Sequence, residues 1–154
     1  MRILPFFPAS PDVEVVSITP FESADLLCIP FFESRIPAGF PSPADDHLDT
    51  CLDLKDLVVE HPAATFFARV EGDSMIEAGI HSGDVLVVDR ALEPAGNRVV
   101  VAVIDGEFTV KRIKKIKDRL FLVPENADLA PMEVSPETEF AIWGVVTYVV
   151  HPIR

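Results

Sequence analysis

A serine near the middle of the chain stands in a setting that could support nucleophilic catalysis. Ser74 lies in Gly72-Asp-Ser-Met75, after a glycine and before a segment predicted to form one helical turn. Main-chain N–H groups at the start of such a turn lack partners within it and can stabilise an oxyanion. A serine hydroxyl is hardly ionised at neutral pH, so it also needs a base. On spacing alone, the simpler interpretation is that Ser74 caps the turn.

The base could be a lysine, provided that it is kept neutral. Lowering a lysine pKa from its reference value near 10.4 to about 7 requires roughly 4–5 kcal/mol, which burial can supply. Lys111 lies in a run where strand alternation places it on the same face as Thr109 and Ile113. From local chemistry Lys111 is a possible base, and an ordinary surface lysine in a strand is the alternative.

The elements that would position these residues are mostly short strands. Strands are predicted over 65–70, 84–89, 98–104, 107–113, 119–123 and 141–150, with one short helix that Asp53 caps and that ends before Pro62. Asp105-Gly106 separates two apolar runs and predicts a type I′ hairpin turn. The pattern predicts a mainly β fold, with strongly bent antiparallel sheets and short helical turns.

The first part of the chain is rich in proline. Seven of the 14 prolines lie within the first 41 residues, at 5, 8, 11, 20, 30, 37 and 41. Proline fixes φ and lacks an N–H, so neither a long helix nor a central strand is expected there. Because apolar pairs such as Phe6-Phe7 and Phe31-Phe32 are interspersed, we predict an extended arm that docks on a surface. A disordered tail is the alternative.

The composition restricts the classes of partner and site. The formal net charge of −12 disfavours direct binding to DNA or to an anionic membrane. The apolar stretch over 140–150 is too short to span a bilayer, so a soluble cytoplasmic protein is predicted. Cys28 and Cys51 show no metal-binding spacing and are predicted to be reduced thiols. The four histidines are scattered, so neither a zinc site nor another cofactor is predicted.

One segment of this acidic chain is rich in basic residues. The cluster holds six of the 13 basic residues: Lys111, Arg112, Lys114, Lys115, Lys117 and Arg119. Such a patch could touch nucleic acid. In a chain of net charge −12 the preferred interpretation is a solvated hairpin end or a contact with a protein partner.

Three ordered segments together resemble the signature of the LexA-like self-cleaving serine proteases. They are Gly72-Asp-Ser-Met75, Gly83-Asp-Val-Leu-Val-Val-Asp89 and Asp105-Gly-Glu-Phe-Thr-Val-Lys-Arg112. Upstream, Ile36-Pro-Ala-Gly-Phe-Pro-Ser-Pro-Ala44 resembles the cleavage segment of the UmuD type within that family. The similarity runs from about Ile36 to the end of the chain. The arm is too short and too poor in helical pattern for a repressor's helix-turn-helix domain, which favours the UmuD type.

The resemblance implies a role for particular residues. Ser74 matches the nucleophile and Lys111 the general base, with Met75 as a packing residue beside the serine. The scissile bond matches Ala38-Gly39. Main-chain amides of Asp73 and Ser74 would form the oxyanion hole. The expected division is therefore a cleavable arm over 1–38 and a LexA-like protease and polymerase-accessory domain over 39–154.

The resemblance also implies a biological setting. A RecA filament on single-stranded DNA would stimulate the cut during the DNA-damage (SOS) response. The shortened chain would form a homodimer and serve as accessory subunit of an error-prone UmuC-type Y-family translesion polymerase. The alternatives are a non-catalytic module that binds the polymerase uncut, and a LexA-like transcriptional regulator.

Overall fold

The fold is a strongly curled antiparallel sheet with very little helix. A computed structural model describes residues 14–20, 29–31, 38–39 and 50–153. Its elements are β1 (Glu14–Pro20), β2 (Ile29–Phe31), β3 (Thr50–Leu52), α1 (Leu54–Val58), β4 (Thr65–Glu71), β5 (Val85–Asp89), β6 (Val99–Ile104), β7 (Glu107–Ile116), β8 (Arg119–Val123), β9 (Met132–Val134) and β10 (Phe140–Val150), with 3-10 turns over Pro62–Ala64 and Ile76–Ala78. The predicted mainly β fold is confirmed.

The local signals read from the sequence explain several of these elements. Asp105 and Gly106 both have positive φ, 49° and 85°, as a type I′ turn requires, and they join β6 to β7. Asp53 caps α1, its side chain accepting a 2.9 Å hydrogen bond from the Lys55 main-chain N–H. The hairpin turn and the capped helix are therefore confirmed.

Strand order in the main sheet is β1-β4-β5-β10-β6-β7-β8-β9. The edge strand β1 also contacts β7, although four strands separate them in that order, so the sheet curls back on itself. Register shifts between Ile142 and Gly144 and between Val146 and Tyr148 interrupt the long strand β10. Bulges of this kind bend and twist a strand, which accounts for the curl at the centre of the sheet.

Apolar residues are buried on both faces of the sheet. On β6, Val101 belongs to one core cluster, together with Met75 and Val110. Val100 and Ala102, which alternate with it, belong to a second cluster with Ile113. The alternation of strand side chains thus supplies two cores, and Lys111 pairs with Val100 of the second cluster.

The proline-rich arm contributes an edge strand to this sheet. β1 pairs with β4 at the edge of the described sheet, and its single proline, Pro20, is the last residue of the strand. Val15 on β1 is buried and belongs to the same core cluster as Met75. Residues 14–20 therefore pack as part of the main sheet, and the rest of the predicted arm lies largely outside the described residues.

The small sheet formed by β2 and β3 overturns one prediction. Cys51 on β3 is disulfide-bonded, so the predicted reduced thiol is wrong at this position. The chain's other cysteine, Cys28, lies outside the described residues. Spacing arguments excluded metal sites, but they carry no information on whether a cysteine forms a disulfide.

No helix within the described ranges is long and apolar enough to cross a membrane.

Candidate active site

Ser74 lies in a tight turn between β4 and the 3-10 turn Ile76–Ala78. Gly72 enters it with φ of 100°, a conformation that favours glycine, and its N–H donates to Ser82 Oγ at 3.3 Å. Met75, which is fully buried, anchors the turn in the core, as predicted for a packing residue. The Asp73 carbonyl accepts from the Ile76 N–H at 3.2 Å, which closes the turn.

The loop that follows β8 forms hydrogen bonds with the turn that contains Ser74. The side-chain amide of Asn126 donates to the Asp73 carbonyl at 3.0 Å. The Glu77 N–H donates to the Glu125 carbonyl at 2.8 Å. Two adjacent loop residues therefore fix the turn on both sides of Ser74, and the main-chain N–H of Asp73 donates no hydrogen bond within the part of the chain that the structure describes.

Lys111 reaches the serine from β7. Its Nζ donates to Ser74 Oγ at 3.1 Å, to Thr109 Oγ1 at 2.9 Å and to the Val110 carbonyl at 3.2 Å. Lys111 is only 8% exposed and Ser74 is 0% exposed. Burial to this degree disfavours an ammonium relative to the neutral amine. The structure therefore brings together the serine and the lysine that the sequence singled out, with the lysine on the Thr109 face as predicted.

Three acceptors of Lys111 within the described residues differ in what they can do. The Val110 carbonyl can only accept, whereas the hydroxyls of Thr109 and Ser74 can accept or donate. A neutral amine has two N–H donors and one lone pair. If it keeps Val110 and Thr109 as acceptors, the lone pair is left for the Ser74 hydroxyl proton. The arrangement can therefore draw a proton from Ser74 without moving the lysine.

The residues next to Lys111 are paired differently. Arg112 donates through Nε to Glu125 and through Nη1 to the Asn97 carbonyl at 2.6 Å. Arg119 pairs with Glu133, and this hydrogen bond raises the pKa of the Arg119 guanidinium and lowers that of the Glu133 carboxyl. Within the basic cluster, Arg112 and Arg119 are therefore paired with carboxylates, and Lys111 belongs to the serine site. This supports the interpretation of the cluster as a hairpin end rather than a nucleic-acid surface.

The predicted scissile pair is exposed to solvent. Ala38 and Gly39 are both exposed, in a bend. A Cβ atom built on Gly39 would meet no heavy atom within 4 Å. The structure therefore holds these two residues in the open, whereas Ser74 is buried.

Sequence reasoning assigned no role to two residues of this site. Thr109 was placed on the Lys111 face, and its hydroxyl, two positions away, is a signal that alternation could have used. Asn126 carries no local signal, since 53 residues separate it from Asp73. Within the described ranges, the two groups of side chains that could hold a metal ion do not include Ser74 or Lys111.

Comparison with known proteins agrees with the fold. The sequence profile of the Peptidase S24-like family matches residues 30–147. Protein SamA of Salmonella typhimurium is 50% identical over 125 residues, which cover 81% of this chain and 86% of SamA. Protein MucA of Escherichia coli is 48% identical over 128 residues, 81% of this chain and 87% of MucA. The LexA repressor of Xylella fastidiosa is 40% identical over 143 residues, 93% of this chain and 66% of the repressor.

A match over this much of the chain, to proteins this similar, establishes the family. The chain belongs to the Peptidase S24-like family, as a UmuD-type member of the LexA-like self-cleaving serine proteases.

Proposed function

We propose that the chain cuts itself between Ala38 and Gly39, with Ser74 as nucleophile and Lys111 as general base. The observation that carries this proposal is the 3.1 Å contact between Lys111 Nζ and Ser74 Oγ, made by two side chains that are both buried. In a Peptidase S24-like chain, this pair supplies the two groups that acyl transfer requires, a nucleophile and a base within hydrogen-bonding reach.

The proposed reaction has two steps. Neutral Lys111 takes the Ser74 hydroxyl proton while Oγ attacks the Ala38 carbonyl carbon, and main-chain N–H groups of Asp73 and Ser74 stabilise the oxyanion. The lysine then passes its proton to the Gly39 nitrogen as the peptide bond breaks, which leaves Ala38 as an ester on Ser74. Water, activated by Lys111, hydrolyses that ester to release the Ala38 carboxylate and restore the serine.

The chain supplies its own substrate. Ala38 and Gly39 are small and exposed, so this segment presents little steric obstacle to close approach. Gly39 precedes Ser74 by 35 residues, and an extended chain covers about 3.3 Å per residue. That reach permits attack within one chain or on the partner in a dimer.

The cut divides the chain into the arm, 1–38, and residues 39–154. We infer that the larger fragment forms a homodimer in the cytoplasm and acts as accessory subunit of a UmuC-type Y-family polymerase, after a RecA filament on single-stranded DNA has stimulated cleavage. The support is the family membership and the similarity to SamA and MucA. The net charge of −12 favours action on DNA through protein partners rather than direct binding.

Self-cleavage of the purified chain tests the proposal. Incubation at alkaline pH should yield fragments that end at Ala38 and begin at Gly39, measured by intact-mass spectrometry, because more of Lys111 is then neutral. Ser74→Ala and Lys111→Ala should both abolish them. Lys115→Ala is a matched control, since that lysine is exposed on the same strand, and should cut at the wild-type rate. A wild-type chain that stays intact at high pH and with activated RecA would overturn the proposal.

A second candidate is a module that binds the polymerase uncut. Its support is that Ala38 and Gly39 are both exposed, and that a Cβ built on Gly39 would meet no heavy atom within 4 Å. In that case the wild-type chain would stay intact in the experiment above and would bind the polymerase as well as Ser74→Ala does.

A further inference from the structure

We propose that His81, Asp84 and His151 form a binding site for a divalent transition-metal ion such as Zn²⁺. Each residue offers one ligand atom, and these atoms all lie within 4.8 Å of one another. His81 and Asp84 flank the turn that enters β5, and His151 directly follows β10. The pairing of β5 with β10 brings these segments together, with Val85 opposite Val150.

Asp84 is the fixed centre of the group. It is 1% exposed, and its Oδ2 accepts from the His81 main-chain N–H at 2.8 Å. Its Oδ1 accepts from His151 Nδ1 at 2.6 Å. The Asp84 main-chain N–H in turn donates to the His81 carbonyl at 3.1 Å. The carboxylate is therefore preorganised, and a metal ion would not have to order it.

His81 is the member whose position is not explained by hydrogen bonding. Its Nδ1 is inaccessible to solvent and has no hydrogen-bond partner within the described residues, although it lies 3.7 Å from Asp84 Oδ2. Its ring lies over that of His151, with centroids 4.5 Å apart. A buried ring nitrogen without a partner is costly, and a ligand that accepts its lone pair would remove that cost.

The donor set selects the class of metal. Two imidazoles and one carboxylate suit Zn²⁺, Ni²⁺ or Cu²⁺, whereas Mg²⁺ and Ca²⁺ prefer sites made of oxygen. An ion would replace the proton now shared by Asp84 and His151 and gain His81 as third ligand. The His81 and His151 side chains are 44% and 40% exposed, so an ion can enter and water can complete the coordination.

A second cluster, Glu60, His61 and Asp89, provides an internal comparison. It has only one histidine, and His61 Nδ1 is engaged by Asp89 Oδ2 at 2.7 Å. That hydrogen bond raises the pKa of His61, so a proton competes for the same nitrogen. The second cluster therefore offers one nitrogen ligand instead of two, and we assign no metal to it.

Calorimetric titration of the full chain with ZnCl₂ tests the site. The protein would carry Ser74→Ala to keep it intact and no polyhistidine tag. One Zn²⁺ per chain is expected, with at least a tenfold loss of affinity in His81→Ala and in His151→Ala. The matched control His61→Ala should bind as the parent does, and MgCl₂ should give no saturable binding.

A spectroscopic titration distinguishes ligation from indirect effects. Co²⁺ should give visible absorption bands that Zn²⁺ removes, and these bands should be absent in His81→Ala. Circular dichroism would show that His81→Ala keeps the parent fold, which the exposure of its ring favours. Absence of Zn²⁺ binding to the parent, or equal affinity in parent and folded His81→Ala, would overturn the site.

Discussion

The side-chain amide of Asn126 donates a 3.0 Å hydrogen bond to the main-chain carbonyl of Asp73. That carbonyl belongs to the peptide unit whose N–H is that of Ser74, so Asn126 fixes the orientation of a proposed oxyanion donor. The two residues are 53 positions apart. A loop that makes no proposed contact with substrate thereby sets the geometry of the serine turn.

Asn126→Ala should slow self-cleavage about tenfold, less than the 10²–10³ typical of losing an oxyanion donor outright. Urea unfolding should change little, because this hydrogen bond is exposed. The measurement is the rate constant of self-cleavage as a function of pH. The rate constant should fall by the same factor at every pH, because the substitution does not change Lys111. Thr138→Ala, which removes an exposed contact with Ser135, is the control. Equal rates in Asn126→Ala and wild type would contradict the role given to Asn126.

Thr109→Val should slow self-cleavage about tenfold, whereas Thr109→Ser should stay close to wild type. The Thr109 hydroxyl lies 2.9 Å from Lys111 Nζ and is one of the groups that orient the amine. Valine keeps the shape and removes the hydroxyl, and serine keeps the hydroxyl. The measurement is single-turnover cleavage at a fixed alkaline pH. A serine variant as slow as the valine variant would show that packing, not the hydrogen bond, matters.

Gly144→Ala should destabilise the fold by about 1–3 kcal/mol, the usual range for overpacking. A Cβ on Gly144 would lie 2.6 Å from Val88 Cγ1 and 3.4 Å from the Asp89 carbonyl oxygen. Chemical unfolding in the Ser74→Ala background measures the change. Gly39→Ala is the control, since a Cβ there meets nothing within 4 Å. Val88→Ala should lower the free energy of unfolding less in the Gly144→Ala variant than in the chain that keeps Gly144. If the two substitutions have strictly additive effects, the clash between position 144 and Val88 is contradicted.

The His61–Asp89 pair should make stability depend on pH in a defined direction. The hydrogen bond to Asp89 raises the His61 pKa above its usual 6.5. Because the His61 pKa is higher in the folded than in the unfolded chain, protonated His61 stabilises the fold. This stabilisation is complete at pH below the unfolded-state pKa, and it is lost as pH rises through the folded-state pKa. The gap in free energy of unfolding between wild type and His61→Gln should therefore be larger at pH near 6 than near 9. A gap that does not change with pH would rule out this linkage.

The two fragments should stay joined after the cut under non-reducing conditions. Cys28 and Cys51 lie on opposite sides of the proposed Ala38-Gly39 bond, and Cys51 is disulfide-bonded. Non-reducing electrophoresis should show one band at the mass of the whole chain, and reductant should split it in two. Cys51→Ser should give two bands without reductant. A band at twice the chain mass would instead mean that Cys51 pairs with another molecule.

Much of the fold could be predicted because its signals are local. Asp105-Gly106 predicts its turn because both residues tolerate the positive φ that the turn requires. The alternation of side chains along a strand places Lys111 on the same face as Thr109. The pairing of Ser74 with Lys111 was predicted only through the ordered set of motifs. The prediction rested on resemblance, and the 3.1 Å contact now supplies the geometry.

The features that sequence reasoning missed depend on distant segments. His81 and His151 are 70 positions apart and meet only because β5 pairs with β10. β1 was expected as part of a docked arm rather than as a strand, because it lies in a proline-rich stretch between Pro11 and Pro20. β9 spans only three residues, too few to show a period. Cys51 was misjudged because the prediction of a reduced thiol rested on the expected cytosolic compartment and on no local signal.

The position of β10 has a consequence for when the enzyme can become active. Ser74 follows β4, which pairs with β5, and Lys111 lies on β7, which pairs with β6. In the main sheet, β5 and β6 are both hydrogen-bonded to β10, so β10 joins the strands near Ser74 to the strands near Lys111. β10 is the last strand in chain order. A nascent chain still on the ribosome lacks that link until residue 150 has emerged. Synthesis itself therefore delays completion of the strand ladder between Ser74 and Lys111, and a chain truncated before β10 is expected to lose the contact between them.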